Sequence, residues 1–205
     1  MMRNVLAAAS VAALLAACSP ADPAAAPDTA APAAAPTAPA AAAAEEADLA
    51  GVLAVAELAA TAGNAVTGSL QFRQVDGQLH VSGTVSGLKP GSEHGFHIHE
   101  TGDCSAADGS SAGGHFNPSA AAHGAIDAAV HHTGDMPNLK ADDQGTAVVD
   151  GPLSAEASLG DGGSHDILGR GLIVHADPDD YTSQPTGNAG ARLACAVINR
   201  PAATP

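Results

Sequence analysis

The sequence is poor in aromatic and basic residues. None of its 205 residues is tryptophan, and the only Phe and Tyr residues are three phenylalanines and one tyrosine. Any folded core must therefore consist mainly of Val, Leu, Ile and Ala. Lys and Arg together number 7 against 22 Asp and Glu, which gives a formal net charge of −15 at pH 7. Because an acidic chain without a basic cluster repels polyanions, we expect neither nucleic acid nor an anionic lipid surface as a partner.

The sequence also has no apolar run long enough to cross a bilayer as a helix. Residues 4–17 are apolar but too few for that, and they follow a single basic residue, Arg3, as in a secretory signal peptide. The stretch ends in Leu15-Ala16-Ala17-Cys18, which resembles the lipobox of bacterial lipoproteins. The resemblance implies a signal peptide over 1–17, a lipid on Cys18 as the only membrane contact, and a periplasmic lipoprotein of the bacterial cell envelope, on its inner or outer membrane. An ordinary signal peptide with an incidental cysteine is the alternative.

The segment after the signal peptide lacks the varied apolar side chains that a core needs. Residues 18–48 are nearly all Ala and Pro, and the prolines interrupt every helix that Ala would favour. We therefore predict a lipidated, disordered tether over 18–48, one folded domain over 49–200 and a disordered tail over 201–205.

Cysteine is scarce, since the chain has only three. With Cys18 assigned to the anchor, Cys104 and Cys195 remain. In an exported protein an even remainder predicts a disulfide, with a pair of free thiols as the alternative.

No window of the domain has the apolar stripe of an amphipathic helix, whereas alternation with a period of two is common. Residues 66–73 and 79–85 alternate apolar with polar side chains, and Asp76-Gly77 between them predicts a hairpin. Further short runs, each bounded by Gly, Pro or Asp, lie at 51–58, 146–150, 167–175 and 191–198. The fold class is therefore all-β, an antiparallel sandwich or barrel. Two long Gly-rich connections, at 100–137 and 176–190, are long enough to predict a functional role.

Histidines are concentrated in one part of the domain. Seven of the ten lie between residues 94 and 132. Within the segment 95–100, His97 and His99 are two residues apart, so on an extended strand both point to the same face. Two imidazoles on one rigid face can grip a metal ion, and imidazole suits copper and zinc. The sequence therefore predicts a metal site.

The motifs around these histidines resemble those of the copper–zinc superoxide dismutase family. Five segments occur in the family's order: GFHIHE at 95–100, GGHFNP at 113–118, HHTGD at 131–135, GRGLIVH at 169–175 and GNAGARLAC at 187–195. The resemblance covers nearly all of residues 50–199 and points to the exported bacterial type. It implies an immunoglobulin-like, Greek-key antiparallel β-barrel or sandwich with two long functional loops. The implied enzyme converts superoxide to dioxygen and hydrogen peroxide and so protects the cell envelope.

The resemblance also implies the cofactors, one copper cycling between Cu(II) and Cu(I) and one zinc per subunit. The implied copper ligands are His97, His99, His115 and His175. The implied zinc ligands are His115, His123, His132 and Asp135, so that His115 is shared by the two metals.

Two further roles are implied by position in the motifs. Catalysis would depend on His115 and on Arg192, an arginine beside the open face of the copper. Outside the ligand sets, Asp179 would link a copper histidine to a zinc histidine, and His94 would bond backbone near the copper. Because the segment 182–186 carries no charge, attraction of superoxide would rest on Arg192 and the metals.

Several alternatives remain open at this stage. His131 competes with His132 for the zinc position, and the spacing His-x-x-Gly-Asp favours His132. Asp179 could be a solvated acid, and Arg192 could pair with a neighbouring carboxylate. We predict that two further histidines are solvated: His80, on the polar face of its strand, and His165, in a polar loop. The rival function is that of a non-catalytic periplasmic domain on the same fold that binds or delivers copper or zinc. A monomer and a homodimer are both compatible with the sequence.

Overall fold

The structure, a computed structural model, describes residues 51–202. The predicted signal peptide, the lipidated Cys18 and the tether lie outside these residues. No helix in the described part of the chain has the length and apolar character needed to cross a membrane.

Nine β-strands and one short 3-10 turn make up the regular structure of residues 51–202. The strands are β1 (Val52–Ala60), β2 (Thr67–Val75), β3 (Gln78–Ser86), β4 (Glu93–His94), β5 (Phe96–His99), β6 (Leu139–Lys140), β7 (Ala147–Pro152), β8 (Gly171–His175) and β9 (Arg192–Val197). The 3-10 turn spans Ser110–Ala112. The prediction of an all-β protein is confirmed.

The hairpin predicted around Asp76-Gly77 joins β2 to β3. Val75 pairs with Gln78 across the turn, and both intervening residues have positive φ, 49° at Asp76 and 83° at Gly77. Because Asp tolerates and Gly favours this left-handed conformation, the dipeptide closes a tight two-residue turn whose twist matches that of the strands. The turn fixes the register that places Leu70 and Phe72 in the core.

Seven of the strands form one curled antiparallel sheet in the order β5-β8-β9-β1-β2-β3-β7, and β4 pairs with β6. The main core lies inside the curl and includes Leu70, Phe72, Ile98 and Leu172. Burial of these mainly aliphatic side chains supplies the hydrophobic part of the free energy of folding.

Strands β5 and β8 do not show the burial alternation of β2 and β3, because both of their faces are covered. Phe96 and Ile98 face the core, whereas His97 and His99 face the opposite way and are nonetheless buried. The long connections after β5 and β8, residues 100–138 and 176–191, provide that second cover. The predicted long loops therefore lie where the paired histidines are.

The structure differs from the strand prediction in two places. Residues 167–170 form a turn, closed by the hydrogen bond from Arg170 N to Ile167 O (3.1 Å), so β8 begins only at Gly171. Strands β4 and β6 have two residues each, which is too short for a period-two pattern to reveal them.

Cys104 and Cys195 form a disulfide with an S–S distance of 2.01 Å. It joins the connection after β5 to strand β9. Cys195 is buried and Cys104 is exposed, so the bond fastens an outer loop to the sheet.

Candidate metal centre

Four buried imidazoles converge on the outer face of β5 and β8. His97 and His99 come from β5, and His175 is the last residue of the adjacent β8. His115 reaches them from the first long connection, where its backbone forms an isolated bridge with that of His99. One ring nitrogen from each of the four lies within 4.8 Å of those of the other three. We call these residues the first group.

Hydrogen bonds determine which nitrogen of each ring faces the others in the first group. His97 donates from Nε2 to Oδ2 of Asp179 (2.8 Å), and His99 donates from Nδ1 to the carbonyl of Gly113 (2.9 Å). The nitrogens left over are Nδ1 of His97 and Nε2 of His99, and the latter lies 3.3 Å from Nε2 of His175. Ring orientation is thus fixed from behind, as is usual for metal-ligating histidines.

Two ring nitrogens of the first group are buried and have no hydrogen-bond partner within residues 51–202. They are Nδ1 of His97 and Nε2 of His115. A buried, unsatisfied nitrogen is costly and rare, and a metal ion that accepts its lone pair removes the cost. The donor set of four imidazole nitrogens therefore fits copper.

A second group lies on the other side of His115. It comprises His115, His123, His132 and Asp135, whose ligand atoms also lie within 4.8 Å of one another. Oδ1 of Asp135 is 2.8 Å from Nδ1 of His115, 3.0 Å from Nδ1 of His123 and 3.3 Å from Nδ1 of His132. Three imidazoles and one carboxylate form a closed nitrogen and oxygen set that fits tetrahedral zinc.

A compact turn forms the second group locally. In the turn His132–Asp135 the amide of Asp135 donates to the carbonyl of His132 (3.1 Å), and Oδ2 of Asp135 accepts from the amide of His132 (2.8 Å). The turn directs His132 inward, whereas His131 is half-buried and bonds Ala128 O and Ser154 Oγ instead. Of the two competing histidines, the structure therefore brings His132 into the group.

His115 is common to both groups and offers one nitrogen to each. Nδ1 faces Asp135 in the second group, and Nε2 is the unpartnered nitrogen directed at the first. A single imidazole can hold two cations in this way only as the imidazolate, because both ring protons must leave.

Individual histidines of the two groups have pKa values that are shifted in different directions. Burial, followed by the positive charges of neighbouring imidazoles, lowers the pKa of His175 to about 3. Burial also lowers the pKa of His115 to about 4, even though hydrogen bonding to Asp135 works in the opposite direction. Burial works against the charged form of His123 too, but the carboxylates of Asp135 and Asp179 outweigh it and raise its pKa to about 9.

Asp179 connects the two groups. Its Oδ2 accepts from Nε2 of His97, as described, and its Oδ1 accepts from Nε2 of His123 (2.9 Å). Asp179 is buried, so it is not the solvated acid considered as the alternative. A carboxylate in this position fixes the tautomer and orientation of one ring in each group.

Two amide side chains that the sequence did not single out position the same region. Asn138 pairs with the backbone of Asp179, donating to its carbonyl and accepting from its amide, both at 2.9 Å. Gln184 pairs in the same manner with the backbone of His123, at 2.9 and 3.0 Å. Neither amide has a motif or spacing that could have identified it.

The second long connection requires a glycine at position 187. Gly187 has a φ of 67°, and a Cβ at this position would collide with the carboxylate of Asp179 and approach His123. The first Gly of the GNAG segment is therefore the residue that allows the second long connection to close over the metal centre.

Arg192 begins β9 and lies in register with His175. Its guanidinium donates from Nη1 to Gly109 O and from Nη2 to Gly113 O, both at 2.6 Å. The structure thus shows bonds to two backbone carbonyls rather than the predicted alternative of an ion pair with an acid. The arginine is part-buried, beside the first group.

The remaining predicted histidines lie outside both groups. His94 donates from Nδ1 to the carbonyl of His175 (2.8 Å), which places it against the backbone of the first group. His80 is half-buried on the outward face of β3. His165 is half-buried as well, and its Nδ1 is hydrogen-bonded to Oγ1 of the buried Thr133 (2.9 Å).

Comparison with known proteins gives consistent matches over the described domain. The family model for copper/zinc superoxide dismutase matches residues 66–198. A superoxide dismutase (Cu-Zn) from Paramecium bursaria Chlorella virus 1 is 41% identical over 140 residues, which cover 65% of this chain and 72% of that one. Superoxide dismutase (Cu-Zn) 3 from Arabidopsis thaliana is 43% identical over 143 residues, which cover 66% of this chain and 84% of that one.

A solved structure matches over the same region. The crystal structure of a SOD-like protein from Bacillus subtilis has a TM-score of 0.63 at 37% sequence identity, covering 70% of this chain and 96% of that one.

Proposed function

The chain belongs to the copper/zinc superoxide dismutase family, and from that premise we propose how its own residues support the dismutation of superoxide. It is an oxidoreductase that acts on superoxide and uses copper and zinc. The proposal concerns which residues hold each metal, which bind the substrate, and which move protons.

In this proposal each metal is held by one of the two groups. The first group, His97, His99, His115 and His175, holds copper, and the second group, His115, His123, His132 and Asp135, holds zinc. One ion of each kind binds per subunit. Every ligand comes from a single chain, so neither a monomer nor a homodimer needs a residue from a second copy to complete the centre.

Bound copper supplies one-electron chemistry, by which one superoxide is oxidised to dioxygen and a second, together with two protons, is reduced to hydrogen peroxide. Arg192 binds the anion, because a guanidinium fork held by two carbonyls is an oriented donor for a small oxyanion. His115 holds and delivers a proton at Nε2, the nitrogen that has no protein partner, while Nδ1 keeps the ring in the second group.

The observation that carries this proposal is the sharing of His115 between two buried donor groups. Its test is His175→Ala in purified, metal-loaded protein, with His80→Ala as the matched control because His80 belongs to neither group. We expect His175→Ala to retain zinc, to lose copper and to lose catalytic removal of superoxide, measured as the decay of superoxide after a radiolysis pulse.

The same experiment distinguishes the rival function. A metal-binding or delivery domain would consume superoxide only in stoichiometric amounts, in the parent protein and in His80→Ala. Catalytic removal by the parent that persists in His175→Ala would contradict the assignment of the first group.

The proposal extends to the location of the enzyme. A lipid on Cys18 would hold the domain at a membrane of the bacterial envelope, where it would remove superoxide before it damages envelope components. Support comes from the apolar stretch at 4–17 and the Leu15-Ala16-Ala17-Cys18 segment, together with a disulfide between Cys104 and Cys195 that suits an oxidising compartment.

A further inference from the structure

Arg192 is held beside the first group by the loop that contains the 3-10 turn. The two carbonyls that accept its hydrogen bonds, those of Gly109 and Gly113, flank Ser110–Ala112 on either side. Arg192 also lies in register with His175, so its positive charge stands beside the ligands of the first group.

An acidic residue lies next to this arginine. Asp108 precedes Gly109 in the chain, and Asp108 and Arg192 both line a cavity of about 320 Å³, together with Ser110 and Thr61. Burial lowers the pKa of Arg192, and the negative charge of Asp108 works in the opposite direction. In the described part of the chain Asp108 is the only Asp or Glu that lines this cavity.

The carboxylate of Asp108 is exposed and has a hydrogen-bond partner in the backbone of the same loop. Its Oδ1 accepts the backbone N–H of Ser110 (3.0 Å), which forms a local turn that fixes the side chain. A negative charge is thus kept at a set position on the wall that Arg192 shares.

We propose that Asp108 limits the rate at which superoxide is captured, because its carboxylate cancels part of the positive potential that Arg192 presents to the anion. This inference rests on the proposed function. The net charge of the chain is −15, but at physiological salt charges act over roughly 8 Å, so acids on the far side of the domain matter little to an anion near Arg192. A charge at the rim of a binding site changes mainly the association rate and its salt dependence.

The same loop contains a matched control, Asp103. It is five residues earlier, it carries the same charge, and its Oδ1 accepts the backbone N–H of Ser105 (2.8 Å) in the same kind of turn. Asp103 does not line the cavity beside Arg192. Asp108→Ser and Asp103→Ser each remove one negative charge and keep a side-chain oxygen for the turn.

The experiment measures the second-order rate constant for superoxide removal by the parent, Asp108→Ser, Asp103→Ser and Arg192→Ala, each with its metal content determined. We expect Asp108→Ser to react about twofold faster at an ionic strength of about 10 mM and to converge on the parent at about 0.5 M. Asp103→Ser should gain less than Asp108→Ser at low ionic strength, where screening acts over about 30 Å, and should match the parent at physiological salt. Arg192→Ala should be slower and less dependent on salt.

Azide titration of the copper-loaded proteins gives a second readout that needs no turnover. Azide is a small anion, and its binding to Cu(II) can be followed by absorption. We expect its dissociation constant to fall about twofold in Asp108→Ser and to stay unchanged in Asp103→Ser.

Three results would overturn the inference: no gain in Asp108→Ser, an equal gain in Asp103→Ser, or a gain that persists at high salt. The first would show that the charge has no influence, the second that only net charge counts, and the third that the substitution acts through structure. If the parent protein fails to remove superoxide catalytically, the proposed function falls, while the azide titration still decides the role of Asp108.

Discussion

Individual histidines in this protein acquire very different acid–base properties from their surroundings. Burial among other imidazoles lowers the pKa of His175 to about 3, whereas Asp135 and Asp179 overcome burial and raise that of His123 to about 9. In the metal-free protein at neutral pH, His175 is therefore neutral and ready to accept a metal. His123 is an imidazolium ion, with a proton on each nitrogen and a carboxylate at each proton.

This difference predicts that uptake of zinc depends on pH much more strongly than uptake of copper. Zinc must displace the proton on Nδ1 of His123, so its apparent affinity should rise about tenfold per pH unit from pH 6 towards pH 9. Copper enters a group in which burial lowers the pKa of His99, His115 and His175, so its uptake by the zinc-free protein, where Nδ1 of His115 keeps its proton, should change little from pH 5 to pH 8. Competition with a chelator, corrected for the chelator's own protonation, measures both.

A variant of Asp179 provides the control for this prediction. Asp179→Asn removes one of the two carboxylates that stabilise the charged form of His123, so the pH dependence of zinc uptake should become weaker. Parallel pH profiles for zinc and copper in the parent protein would contradict the explanation.

The residue scale also shows what the sequence could and could not predict. His97, His99, His115 and their partners could be named because imidazole and carboxylate are the chemistry of metal binding, and their segments follow a recognised order. Asn138 and Gln184 could not, because a side-chain amide paired with backbone has no spacing requirement along the chain. The hydrogen bond between His165 and Thr133 joins residues that are distant in sequence, and it was not predicted for the same reason.

At the scale of elements, the sheet was more predictable than the connections. Alternation in β2 and β3 reports a strand with one buried face, and Asp76-Gly77 closes the hairpin between them. In β5 and β8 both faces are buried, so the burial pattern cannot be read as alternation, and only histidine spacing marked the outer face of β5. The course of the 176–191 connection depends on contacts with the other loop, which no local pattern records.

The second connection should hold the zinc-binding loop in place through Gln184. Gln184→Ala removes both hydrogen bonds to the backbone of His123, and we expect zinc to dissociate about tenfold faster, as is typical when support around a metal ligand is lost. Thr182→Ala, in the same exposed part of the loop but without a contact to His123, is the matched control. Transfer of zinc to an excess of a coloured chelator gives the rate.

A second readout separates positioning from a general loss of stability. With cobalt(II) in place of zinc, the visible spectrum reports ligand geometry, and we expect it to change in Gln184→Ala and not in Thr182→Ala. Equal zinc release from the two variants would show that the amide of Gln184 has no special role.

At the scale of the whole molecule, the chain divides its tasks between separate regions. All ligands of both groups lie between residues 97 and 175, and Arg192 lies in β9. The predicted anchor is at Cys18, outside residues 51–202. A mutation at the predicted anchor should therefore change where the protein is located without changing its metal content.

Cys18→Ser tests that separation in the full chain, expressed in a bacterium that exports lipoproteins. We expect the parent to be recovered with the membrane fraction, since lipid chains dominate the membrane affinity of such proteins. The variant should move to the soluble fraction with its copper and zinc content unchanged. Ser19→Ala, next to the same site, should stay with the membrane; a Cys18→Ser protein that still sediments with membranes would rule out the lipid anchor.

The first group unites a strand near the middle of the chain with His175, 78 residues further along, and it exists only once β5 and β8 lie side by side. A chain that is still being synthesised or translocated across a membrane offers only some of the histidines of the first group. Only a completely folded chain can therefore bind copper with all four histidines of the first group. The ion must be bound in the compartment in which the chain completes its fold.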